Sequence, residues 1–253
     1  MLCRLPCFAA CLSSRWWLVL VGILYWETTL WVTAEDRPDV QLIAVDDLND
    51  WMTEGGKPVP ATWEIEDGVI HLRRDKGRSG NIITRQEYGD FDLSFEWKVA
   101  ARGNSGLKYR VRKYGNRWLG LEYQIMDDPK FTNGQPSGKG STGALYALYE
   151  PNLEKFVRPG DEYNTSRIVV RANQLEHWLN GKRIVSVTVG DAEWDRRVRS
   201  SKFSGAADFG HNRFGRLMLT DHGAEVWYRN IMVRPLSPVD DTKGVDDKQP
   251  ESK

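Results

Sequence analysis

Glu122 and Gln124 sit two residues apart in the run Leu119-Gly120-Leu121-Glu122-Tyr123-Gln124-Ile125-Met126-Asp127. Side chains alternate across a strand, so a strand here puts the carboxylate and the amide on one face and Tyr123 and Ile125 on the other. One face can enter an apolar core. The other offers groups that hydrogen-bond well to sugar hydroxyls, with Glu122 as a candidate general base. Parity sends Asp127 to the opposite face unless the strand ends or bulges at Asp128-Pro129. The bland alternative is a solvated sheet face with a turn-capping aspartate.

Asp221-His222-Gly223 is the second constellation. Histidine is the side chain most easily tuned for proton transfer near neutral pH, and a neighbouring carboxylate raises its basicity. Consecutive residues of a strand point apart, so the pair cooperates directly only in a turn. The alternative is a hairpin turn in which Asp221 caps and Gly223 supplies a positive φ. Asn104-Ser105-Gly106 adds amide and hydroxyl groups beside a glycine that permits close approach, or is a plain turn. Glu96, Arg110 and Lys202 are candidate polar ligands for substrate, weighed against ordinary solvated charges. His177 beside Trp178 reads as a surface histidine next to a core tryptophan.

The elements that must position these residues are strands. Asp67-Gly68 and Asn180-Gly181 each separate two alternating runs, the signature of tight hairpins. Phe91 to Val99 alternates cleanly, with Asp92, Ser94, Glu96 and Lys98 on the polar face. Leu107 to Arg112 repeats the pattern, and Arg216–Thr220 and Val226–Val233 flank the Asp221 segment. Many short strands with almost no helical periodicity indicate an all-β, two-sheet antiparallel sandwich. The insert from Asp128 to Thr142 is the longest irregular stretch.

Composition narrows the function classes. Formal net charge is zero over 253 residues, so no strong field favours nucleic acid or an anionic membrane. Arg4 and Arg15 precede the apolar run Trp16 to Trp26, and Val32-Thr33-Ala34 offers a cleavage site before Glu35. This is the layout of a signal peptide over residues 1–34 and implies a periplasmic or secreted protein. An uncleaved leader would be the one membrane contact. All three cysteines lie in this leader, so the domain over 35–236 is expected to hold without disulfides. Residues 237–253 read as a disordered polar tail. There is no glycine-rich phosphate loop, no Gly-x-Ser-x-Gly turn, and too few histidines for a histidine metal site. No cofactor is expected. Calcium would find oxygen ligands in Asp127, Asp128 or loop carbonyls.

Taken together, several segments resemble the 3-keto-disaccharide hydrolase family. They are Phe91 to Trp97, Asn104-Ser105-Gly106 with Arg110, Glu122 to Asp127, Thr142-Gly143-Ala144-Leu145-Tyr146, Pro159-Gly160 through Tyr163-Asn164, His177 to Gly181, Ser201-Lys202-Phe203, and Asp221-His222-Gly223 followed by Tyr228 to Ile231. They occur in the family's order across roughly Leu42 to Leu236. Two positions depart from it. Tyr163 stands where the family usually has tryptophan, and Leu217-Met218-Leu219-Thr220 lacks the glutamine often found beside the aspartate. The resemblance implies a jelly-roll sandwich like concanavalin-type lectins and laminarinases.

It also implies an oxidised glycoside or other glycan as substrate. A ketone at C3 acidifies the C2 hydrogen, one base removes it, and the enolate expels the group on C1. His222 or Glu122 is then the base, Asp221 and Asp127 tune or orient, and Asn104, Arg110, Lys202, Gln124 and Glu96 contact sugar. Two other readings stand beside this one. A carbohydrate-binding module would use the same polar face without catalysis. A laminarinase-like glucanase needs paired carboxylates, about 5 Å apart for retention or roughly 6.5–9.5 Å for inversion, and the amide at Gln124 breaks that pair.

Overall fold

Alternation in the sequence becomes strands wherever one side of the alternation can be buried. A computed structural model describes residues 40–41, 47–128 and 138–237 of the chain. The expected leader, most of the expected tail and the middle of the 128–142 insert lie outside the described residues. Strands β1 (Val40–Gln41), β3 (Trp63–Glu66), β4 (Val69–Leu72), β6 (Phe91–Val99), β9 (Asn164–Arg171), β10 (Gln174–Leu179), β11 (Lys182–Thr188) and β13 (Val226–Pro235) make one sheet. Its order is β11-β10-β9-β6-β13-β4-β3, with β1 also on β13, and it has eight strands. The second sheet has five strands in the order β2-β5-β12-β7-β8. These are β2 (Trp51–Thr53), β5 (Ile82–Thr84), β12 (Arg216–Leu219), β7 (Asn104–Tyr114) and β8 (Arg117–Met126). Every pairing is antiparallel. The architecture is the two-sheet sandwich that the sequence indicates.

Both hairpin signals hold. Asp67 and Gly68 have φ of 51° and 73°, and Asn180 and Gly181 have 48° and 82°, the paired left-handed conformations of a type I′ turn. The Arg216–Thr220 and Val226–Val233 runs do not form a hairpin. β12 lies in the five-stranded sheet and β13 in the eight-stranded one, so residues 220–225 cross between layers.

The core lies between the sheets. Phe91, Leu93, Phe95, Trp97 and Val99 of β6 face Leu107 and Tyr109 of β7 and Leu121, Tyr123 and Ile125 of β8 within one apolar cluster. Each large side chain fully buried there stabilises the fold by about 1.5–3 kcal/mol. Polar bonds also cross the core. Ser105 bonds the Tyr228 hydroxyl at 2.9 Å, Tyr109 bonds His177 Nε2 at 2.8 Å, and Ser166 donates to the Tyr123 hydroxyl at 2.8 Å.

His177 corrects the sequence expectation. It is fully buried, with Leu175 and Leu179, while Trp178 lies half-buried on the outer face. Parity on β10 explains it: the two leucines claim the core side and His177 shares it. Its Nδ1–H donates to the Gly143 carbonyl at 2.9 Å, so Nε2 accepts from Tyr109. Burial lowers its pKa to about 4.

One helix, α1 (Ala192–Arg199), breaks the all-β pattern among the described residues. Asp191 caps it by accepting from the Trp194 amide, and acidic and basic residues sit at the ends that suit its dipole. Buried Trp194 stacks on Tyr149, and Arg197 donates to the Leu148 carbonyl. The helix thereby pins the segment 141–149 against the edge of β8. No helix among the described residues is long and apolar enough to cross a membrane.

Candidate active site

The site forms on the outward face of the five-stranded sheet because Tyr123 and Ile125 claim the core side of β8. Glu122 and Gln124 must then point outward. They are nevertheless only 4% and 2% exposed. Segment 141–149 continues the sheet beyond β8: Gln124 donates its amide to Ala144, and Tyr146 donates to Glu122. Register then lines up one row across the face. Met52 pairs with Ile83, Ile83 with Met218, Met218 with Lys108, and Lys108 with Glu122, with Tyr146 opposite Glu122 on the added edge. Paired residues point to the same side of a sheet, so all of these side chains share the face.

His222 enters this face from the crossover after β12. Its Nε2 lies 3.7 Å from Glu122 Oε1, and Lys108 Nζ lies 3.8 Å from Oε2. The carboxylate is buried, yet Oε1 has no hydrogen-bond partner among the described residues. An unsatisfied buried carboxylate oxygen costs stability. His222 is the exposed member, its side chain 38% accessible. Gly106 makes the approach feasible, since a Cβ there would stand 2.6 Å from Glu122 Oε1. Asn104 and Gln124 complete the polar floor, with Gln124 Nε2 donating to Asn104 Oδ1 at 2.7 Å.

Asp221 is in the neighbourhood but is engaged elsewhere. Oδ2 accepts from the amides of Ser79 and Gly80 at 3.0 and 3.1 Å, and Oδ1 from Gly223 at 2.9 Å. Arg78 donates to its carbonyl, and its own amide donates to Asn81 Oδ1. The residue ties the crossover to loop 78–81 and so fixes where His222 stands. Gly223, at φ +84°, lets the chain turn away immediately after the histidine.

The other expected residues scatter. β8 ends at Met126, and Asp127 accepts from the Arg102 amide at 2.6 Å, capping the turn before β7. At five residues from Glu122 it stands about 16 Å away along the strand. Asp128 pairs with the buried ammonium of Lys155 and accepts from the Thr142 amide. Those are the engagements of the two carboxylates offered for calcium. No group of three or more metal-ligating side chains gathers among the described residues. Glu96 lies on the outer face of the other sheet, bonded to Arg229 and Asn230. Arg110 is buried, donating to the Ala172 and Gly210 carbonyls. It sits in the β7 bulge at φ 49°, which reverses its side relative to Lys108. Exposed Lys202 does reach this side of the molecule, its ammonium 4.0 Å from the Tyr146 ring centroid.

Lys108 escaped the sequence reading of the site, Gly106 was read there as permitting close approach, and Tyr146 appeared only within a matching segment. Lys108 was legible as an outward residue of an alternating strand, but nothing in the sequence pairs it with Glu122.

The family model of the 3-keto-alpha-glucoside-1,2-lyase-like domain matches residues 41–234. The 3-keto-disaccharide hydrolase of Bacteroides thetaiotaomicron is 29% identical over an alignment of 219 residues that covers 75% of this chain and 75% of that one. A crystal structure of a candidate glycosyl hydrolase from Parabacteroides distasonis superimposes with a TM-score of 0.69 at 30% identity, covering 81% of this chain and 96% of that one. A second from the same organism has a TM-score of 0.60 at 24% identity, over 79% and 100% of the two chains. Of the two departures noted in the sequence, Tyr163 lies away from the site, packed against Lys98 and Arg229. Thr220 lies within it, its amide bonded to the Gly106 carbonyl.

Proposed function

Because the chain belongs to the 3-keto-alpha-glucoside-1,2-lyase-like family, we propose that His222 and Glu122 cleave glycosides already oxidised at C3. The observation that carries this is the exposed imidazole standing 3.7 Å from a buried carboxylate oxygen that lacks a partner, with Lys108 on the other oxygen.

In this reading His222 takes the C2 proton, and the C–H electrons form the C2=C3 enolate with charge on the C3 oxygen. Glu122 holds the imidazolium that results. Lys108 stabilises the enolate oxygen, the role of a charged donor aimed at developing negative charge. The enolate collapses, re-forming C3=O, making C1=C2 and breaking the bond from C1 to the departing oxygen. His222 returns the proton to that oxygen. The products are a free alcohol and a sugar enone, and water adding across C1=C2 completes hydrolysis. Asn104 and Gln124 bind hydroxyls. A single tuned base suffices, so the amide at Gln124 is no obstacle.

The test is incubation of the purified domain with a 3-keto-glucoside and with its parent glucoside. Release of alcohol from the keto compound alone is expected. Saturable binding without product would favour a carbohydrate-binding module, and cleavage of the unoxidised sugar a glucanase. Either would remove this reading. The proposal includes export, resting on the arginine-flanked apolar leader; N-terminal sequencing of protein recovered from the producing cell checks its removal.

A further inference from the structure

The row through Glu122 and Lys108 runs on into apolar side chains. Met218, Ile83 and Met52 follow in register, and with Val111 and Trp118 they form a cluster separate from the main core. The outward face of an antiparallel sandwich sheet is ordinarily polar. Met218, Ile83 and Val111 are fully buried, whereas Met52 and Trp118 pack over them and remain half-exposed. Trp118 Nε1 donates to the Glu54 carbonyl at 3.1 Å, although β8 and β2 are opposite edges of the sheet. The end of the β7–β8 hairpin therefore curls over the face and lays Trp118 on the apolar patch.

Neighbouring strands stand about 4.8 Å apart, which puts Met218 about 10 Å from Glu122. That is one ring beyond a sugar seated over Gly106. Asn104 and Gln124, bonded to each other further along β7 and β8, would be left for the hydroxyls. Resting on the chemistry proposed above, we infer that Met52 and Trp118 set the leaving-group preference, selecting a C1 substituent with an apolar face such as an aryl ring.

The test compares phenyl and methyl 3-keto-glucosides by kcat/KM, and the unoxidised phenyl and methyl glucosides by calorimetric binding. Phenyl exceeds methyl by about tenfold in both measurements. Met52→Ser lowers the phenyl values by about tenfold more than the methyl ones. Trp118→Phe reports independently if the serine variant fails to fold. Equal values for phenyl and methyl, or equal losses in folded variants, overturn the inference. Tighter phenyl binding with no cleavage of either keto compound would sink the chemistry and leave this subsite standing.

Discussion

Gly106 and Glu122 occupy each other's space: a methyl group on the glycine would stand 2.6 Å from the Glu122 carboxylate and 3.1 Å from its Cγ. The glycine is on a strand with no positive φ, so its lack of a side chain serves the neighbour and not the backbone. Gly106→Ala is expected to rotate Glu122 away from His222. Turnover of a 3-keto-glucoside should fall by about tenfold or more, since misplacing a catalytic group by an ångström costs about that or greater. Chemical denaturation should show a stability change of about 1 kcal/mol or less, because the clash falls on a movable side chain.

His222→Ala and Glu122→Gln should each lower kcat by about 10²–10⁴, the usual contribution of a positioned acid–base group. If the two act as one unit, the double variant loses little more than either single one. Steady-state kinetics on the three variants decides this. Additive losses would separate their roles. The His222 variant should keep its melting temperature, given the exposure of that side chain.

Asp221→Ala should behave differently from both. It strands the amides of Ser79, Gly80 and Gly223 and frees the loop that sets His222. A loss of about 2–3 kcal/mol is expected, or a melting temperature lower by roughly 5–10 °C, together with lower activity. A fully stable but inactive variant would mean that Asp221 tunes the histidine after all.

His177 makes stability depend on pH. Burial holds its folded pKa near 4 against an ordinary 6.5, so the unfolded chain takes up a proton first as pH falls. The stabilisation is complete above about pH 6.5 and is lost progressively towards about pH 4, on the order of 3 kcal/mol in all. Urea midpoints across that window should fall more steeply for the wild type than for His177→Gln.

The sandwich was legible because its strands alternate and its hairpins carry Asp-Gly and Asn-Gly. The site was legible only where parity held. Glu122 and Gln124 follow simple alternation from Tyr123 and Ile125. Arg110 should share a face with Lys108, but the bulge between Tyr109 and Arg112 inserts a residue and sends the guanidinium inward. A bulge leaves no dependable mark in one sequence. Glu96 alternates as expected, but on the other sheet, and sheet membership is a long-range fact. Helix α1 did leave a signal, in the Asp191 cap and the acidic-to-basic gradient behind it, which a search for strands passes over.

The tyrosines behind the Glu122 face carry a further consequence. Tyr109, Tyr123 and Tyr228 each spend a hydroxyl on a partner from the opposite layer. Directional bonds of that kind are satisfied in one alignment only, so sliding one layer past the other by a single residue would orphan all three phenols at once. That leaves the crossovers and edge segments, which carry none of these three bonds, freer to change than the layers themselves. The partners in each rivet can be exchanged only together.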